Sequence, residues 1–189
     1  QLKKVILIPQ QTGDLLVDPF KMDFTIEKPS SRRSFFSQPE YLELHLSSNS
    51  IKIDVKPLPL NPPSSFSGAV GEFKLLGSIN KKEVTANDGI DYKIKISGNG
   101  NFHLFSKPKT HFPEDFEVYD PKISNEYKVR TSGTKGSKEW NYLIIPRFGG
   151  EFTIPAVDFT YFSPKKRKFI TLSTEKYIIK VEKRNGEEN

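Results

Sequence analysis

A chain of 189 residues, 35% hydrophobic and 28% charged, is long enough for one or two domains with real cores, and no stretch approaches the apolar length of a membrane span. The absence of cysteine excludes disulfide scaffolds, cysteine metal sites and thiol nucleophiles together. A net charge of +6, built from interspersed Lys, Asp and Glu rather than a basic stripe, reads as solvation, so no nucleic-acid partner is expected.

Fourteen prolines and twelve glycines work against long helices and favour short strands joined by tight turns. Residues 3–8 predict a strand ending at Pro9, turned by Gly13 into Leu15–Val17 as a hairpin. Phe24 and Ile26 open a further strand, and Ser30–Pro39 reads as a polar loop. Leu42, Leu44 and Leu46 alternate with Glu43 and His45, the period-two pattern of a half-buried strand; Ile51, Ile53 and Val55 repeat it. Pro57, Pro59, Pro62 and Pro63 then predict an extended linker.

Beyond the linker, Phe73 and Leu75 predict a strand that continues to Ile79 past a bulge at Gly77. Asn80–Gly89 reads as a polar connection ending in an Asn87-Asp88-Gly89 turn. Tyr92, Ile94 and Ile96 form a strand with one wet face, followed by a tight Ser97–Asn101 loop. Phe116–Tyr119 and Ile123–Val129 are strands, Thr131–Ser137 a hairpin turn, and Trp140–Ile145 the most apolar strand. Seven or eight strands in about 120 residues predict an antiparallel β-sandwich of immunoglobulin-like type.

One stretch occurs twice. With Pro9 laid on Pro146, Gly13 meets Gly150, Asp14 meets Glu151 and Val17 meets Ile154; Asp23-Phe24-Thr25-Ile26 answers Asp158-Phe159-Thr160-Tyr161. Both copies pass through a basic turn and close on an aliphatic strand, Ile51–Val55 against Tyr177–Val181. Self-similarity of this kind marks one module used twice. The expected architecture is therefore all-β, immunoglobulin-like sandwiches in tandem with the first truncated. Residues 1–56 would be the back half of a module, 57–65 a linker, 66–184 a complete sandwich and 185–189 a polar tail. The incomplete module is expected to pack on the second domain or to self-associate.

Chemistry-bearing motifs are sparse. Gly98-Asn99-Gly100-Asn101 lacks the Lys-Ser/Thr of a phosphate loop and the third glycine of a dinucleotide loop. His45, His103 and His111 have no carboxylates at metal-site spacing, and Glu114-Asp115 are neighbours that point to opposite sides. The expectation is a non-enzyme with no catalytic residue, metal or cofactor. Loop tips supply the candidate interaction residues: Asn99 and Asn101, and the basic tip Lys165, Lys166 and Arg167. That tip suits anionic lipid headgroups, or serves as a charged loop that discourages edge pairing. Aromatic residues, 12% of the chain, leave a cell-wall or carbohydrate-binding adhesin-like module as the alternative, although most fall on core-directed positions.

The junction Pro62–Phe73 resembles that of the BatD, or oxygen-tolerance, family of bacterial envelope proteins. The likeness continues through Ile96–Asn101, Phe116–Lys122, Tyr142–Pro146, Gly150–Pro155 and Phe159–Phe162, covering nearly the whole chain in order. The resemblance implies a periplasmic fragment of a protein anchored in the inner membrane, with signal peptide and membrane tether outside these residues. It also implies partners in one envelope complex: von Willebrand A-domain and tetratricopeptide-repeat membrane proteins, with a MoxR ATPase system acting indirectly. A non-enzymatic scaffold linked to aerotolerance or stress is the function it suggests. The chain opens at Gln1 without a charged-then-apolar leader, as expected of an internal piece.

Overall fold

A computed structural model describes residues 6–28, 40–130 and 133–184; the expected Ser30–Pro39 loop and the 185–189 tail lie outside them. All regular structure among the described residues is β. Two compact units emerge, one spanning Pro9–Leu58 and a larger one from Pro59 onward to which Ile6–Ile8 also belong.

Among the described residues the smaller unit has four strands. β1 (Gly13–Val17) pairs antiparallel with β4 (Ile51–Val55), and β2 (Lys21–Lys28) pairs antiparallel with β3 (Glu40–Ser47). The expected hairpin across Gly13 does not form. Residues 6–12 carry no strand, because Pro9 has no amide hydrogen to give a ladder, and β1 takes its partner from the far end of the unit. Residues 3–5 fall outside the described set.

The larger unit is two layers. One sheet runs β13 (Lys168–Ser173), β12 (Asp158–Ser163), β5 (Phe66–Ile79), β7 (Ile90–Gly100), β10 (Gly133–Pro146) and β8 (Phe116–Val118), with β9 (Lys122–Arg130) also paired to β10. The other runs β11 (Gly150–Ile154), β14 (Tyr177–Glu182) and β6 (Glu83–Thr85). The core lies between them because the strands alternate. Ile90, Tyr92, Ile94 and Ile96 of β7 point in while Lys93 stays wet; Tyr177, Ile179 and Val181 of β14 do the same against exposed Lys180. Trp140, 1% exposed, sits on β10 among them.

Several expectations are corrected by this pairing. Gly77 makes no bulge, and the β5–β7 register runs unbroken from Gly71↔Gly100 to Ile79↔Tyr92. The irregularity lies instead on the other edge of β5, between Thr160 and Phe162. Asn80–Gly89 contains a short strand, β6, which carries Val84 into the core. Ser97–Gly100 is not a loop but the end of β7, held between β5 and β10. The expected Thr131–Ser137 hairpin joins β9 to β10, closed by Arg130 opposite Gly133, but Gly133–Ser137 already belongs to β10, with Lys135–Ser137 paired on both sides by β7 and β9; residues 131–132 lie outside the described set. The sheets are antiparallel except for two parallel contacts, β5 with β12 and β6 with β14.

The internal repeat reappears as pairing. β11 pairs with β14 as β1 pairs with β4, Gly150↔Val181 to Ile154↔Tyr177 matching Gly13↔Val55 to Val17↔Ile51. β12 pairs with β13 as β2 pairs with β3. A reciprocal clip is shared as well. The Phe20 amide donates to Ser48 Oγ (2.9 Å) and the Ser48 amide to the Phe20 carbonyl (2.9 Å). The Val157 amide donates to Thr174 Oγ1 (2.9 Å) and the Thr174 amide to the Val157 carbonyl (3.0 Å). This clip equates Phe20 with Val157, so Asp23 answers Thr160 rather than Asp158. The sequence pairing of those two aspartates is a slip of two residues, which leaves every side chain on its face and is invisible to patterning.

Candidate functional site

In the larger unit two strand pairs, β5 with β7 and β9 with β10, approach closely enough to require glycine. A Cβ at Gly98 would lie 2.1 Å from the Glu72 carbonyl oxygen, and one at Gly71 would lie 2.3 Å from that of Asn99. At Gly136 the clash would be with the Glu126 carbonyl oxygen at 2.0 Å. The Gly-Asn-Gly run thus serves backbone approach within a sheet rather than a turn. The Phe73 ring fills the space above Gly71 and Gly100, and meets those of Phe102, Phe105, Phe159 and Tyr161 edge-on at 5.4–5.8 Å.

Over this corner lies a cleft of about 280 Å³, lined by Ile6, Ile8, Glu72, Asn99, Thr134 and Lys165 among others. Asn101 is at its floor. The Asn101 Oδ1 accepts from the Val70 amide at 2.7 Å, and its Nδ2 donates to the Gly68 carbonyl at 2.9 Å. Both ends of this buried amide are therefore engaged with backbone, tying the entry of β5 to the exit of β7. Asn101→Ala is expected to lower stability by about 2–4 kcal/mol, because two buried backbone groups lose their partner. Chemical denaturation followed by the fluorescence of Trp140, the single tryptophan of the chain, measures it.

Lys165, Lys166 and Arg167 form the exposed turn between β12 and β13. The turn is held from beneath: Ser163 Oγ donates to Glu72 Oε1 at 2.6 Å and accepts from the Lys166 amide at 3.1 Å. Arg167 takes the left-handed conformation, φ 52°, that closes the turn. Of the five candidate residues, the cleft brings together Asn99, Asn101 and Lys165; Lys166 and Arg167 stand on the turn beyond its rim.

A second cleft, about 420 Å³, opens between the start of β5 and the Ser106–His111 segment, with Ser64, Ser65, Ser67, Lys107, Lys109 and Asp158 in its wall. Its polar groups are partly occupied: Ser65 Oγ bonds Thr160 Oγ1 at 2.6 Å, and Ser173 Oγ donates to Asp158 Oδ1 at 2.5 Å. Sequence reasoning missed this cleft because its lining comes from three distant segments, none with a motif.

The histidines go separate ways. His103 packs edge-on to Tyr127 at 4.8 Å, His111 lines the second cleft, and His45 bonds Asp23 at 2.7 Å on an exposed surface. Among the described residues no three His, Asp or Glu side chains converge as a metal set. Titration is perturbed in the core. Burial raises the phenols of Tyr92, Tyr177 and Tyr161, the last also through the charge of Glu72. Burial lowers Lys138, whose Nζ donates to the Phe105 carbonyl at 3.3 Å and lies over the Phe105 and Trp140 rings.

Compared with known families, residues 77–181 match the model described as the BatD DUF11 like domain. The match takes in the last three residues of β5 and runs through β14 to Val181, and so includes strands of both layers of the sandwich. A search of curated proteins returns no match.

Proposed function

The chain belongs to the BatD family, and from that premise we propose that it is a non-enzymatic protein–protein interaction module of a scaffold anchored to the inner membrane. It works in the periplasm, within an envelope complex linked to aerotolerance. The partners of this reading are membrane proteins of the same complex, with von Willebrand A or tetratricopeptide-repeat domains, and a MoxR ATPase system reached indirectly.

One observation carries the choice of surface: the Lys165-Lys166-Arg167 turn is exposed yet held in place by Ser163 and Glu72 beside the Asn99 rim. A cationic tip fixed before binding loses little conformational freedom on docking, which favours recognition of an acidic protein surface. The triple charge reversal K165E/K166E/R167E tests it. Co-purification of the membrane partners at low salt is expected to fall at least about tenfold, with the wild-type interaction itself weakening as salt rises. The Trp140 unfolding profile should stay unchanged. Undiminished co-purification of a folded triple variant would overturn the assignment of this tip.

A further inference from the structure

Residues 106–113, between β7 and β8, carry no regular structure, yet their side chains alternate. Lys107, Lys109 and His111 are exposed, while Pro108 is buried and Thr110 half-buried. Two prolines account for the extended path, because each bars the residue before it, Lys107 or Phe112, from the helical region. Alternation at period two then sets both ammonium groups and the imidazole on one side, at steps of about 6.5–7 Å. The row is held from behind. The Phe105 carbonyl accepts from Lys138 Nζ at 3.3 Å, and Thr110 Oγ1 lies 3.5 Å from the Tyr142 hydroxyl. The Phe112 ring meets those of Tyr92 and Tyr142 at 5.8 and 5.4 Å.

These three side chains line the cleft of about 420 Å³, together with Ser64, Ser65, Ser67, Ser106 and Asp158. Among the described residues its one carboxylate, Asp158, already accepts from Ser173 Oγ at 2.5 Å. Two ammonium groups against that one engaged carboxylate set a positive sign. A cationic row fixed before binding loses little freedom when a ligand arrives.

We propose that this cleft binds an extended acidic peptide segment of a partner protein, with carboxylates two residues apart that meet Lys107 and Lys109. The spacing carries the choice, since alternate side chains of an extended peptide repeat at the interval of the row. The Ser64, Ser67 and Ser106 hydroxyls serve the main-chain groups of the bound segment. The chain does not serve itself. In these 189 residues two acids separated by one residue occur only at Asp115-Phe116-Glu117. There Phe116 is 6% exposed in the core and Glu117 is taken by the Arg147 guanidinium, so a second copy has no such segment to give. This site is apart from the Lys165–Arg167 turn and stands whatever that turn binds.

The test titrates the isotope-labelled 189-residue chain with a capped pentapeptide, glutamate at its second and fourth positions and threonine elsewhere. Backbone amide shifts are expected in residues 64–67 and 106–111, with affinity falling as salt rises. K107E/K109E should weaken binding at least about tenfold, whereas K165E/K166E/R167E should bind as wild type does. Both lysines are exposed, so the Trp140 unfolding profile should not move; K107Q/K109Q gives the same reading should the reversal unfold the chain. A peptide with adjacent glutamates should bind more weakly. In cells, a photo-crosslinking residue at Ser106 should capture another protein's peptide carrying two acids one residue apart. Equal binding of the glutamine peptide or of the adjacent-glutamate peptide would overturn the proposal. Shifts confined to the Lys165 turn, or none at millimolar peptide, would overturn it too. So would capture of this protein's own polypeptide or of a peptide without that acidic pair.

Discussion

Gly98→Ala is expected to destabilise the larger unit by about 4 kcal/mol or more, enough to leave much of it unfolded at the growth temperature of a mesophile. The added methyl would sit 2.1 Å from the Glu72 carbonyl oxygen and 2.9 Å from the Phe73 Cα. Both obstacles are backbone, fixed by a ladder that pairs Phe73 with Gly98, so no rotamer change relieves the clash. Gly89→Ala is the control. There the nearest atom is the end of the Leu143 side chain at 3.0 Å, which can turn aside, and the cost should stay within about 1 kcal/mol. Urea midpoints followed by Trp140 fluorescence compare the two, and the signal comes from the larger unit alone. Equal midpoints for Gly98→Ala and wild type would mean that β5 and β7 do not approach as described.

Phe73→Ala is expected to cost about 3–5 kcal/mol, the range for removing a large aromatic side chain from a core. The residue is 5% exposed and its ring is the common neighbour of Phe102, Phe105, Phe159 and Tyr161, all edge-on. Each such pair adds about 0.5–1.5 kcal/mol beyond buried area, so the loss exceeds that of an equal-sized aliphatic. Phe73→Leu, which keeps most of the volume, should recover about half. Phe73 is also the register partner of Gly98, and so the two predictions are coupled. A double variant should fall short of the sum of the single effects.

The all-β class, the repeat and the core-facing positions could be read from the sequence because each has a period. Ile94 and Ile96, Tyr142 and Ile144, Tyr177 and Ile179 alternate with wet neighbours, and burial follows that alternation. What escaped was set by contacts distant in sequence. Ser97–Gly100 has the composition of a turn, but glycine also serves where two backbones meet, and only the approach of Glu72 distinguishes the uses. β6 has three residues and too few periods to detect; its place is fixed by β14, nearly a hundred residues later. By composition Asn101 reads as a polar loop tip, whereas its amide closes bonds to Gly68 and Val70 across 31–33 residues. The basic turn was legible from its run of charges. Its support, Ser163 to Glu72 across 91 residues, was not.

The central claim is that this domain works by binding proteins of its own envelope complex through the tip at Lys165–Arg167. The most direct measurement is amine-specific cross-linking in cells that make the natural protein, with mass spectrometry of the joined peptides. The account predicts adducts from Lys165 or Lys166 to membrane proteins carrying von Willebrand A or tetratricopeptide-repeat domains. Adducts confined to other lysines, or recovery only of wall glycan and its attached lipoproteins, would contradict it and favour a wall-binding module on the same sandwich.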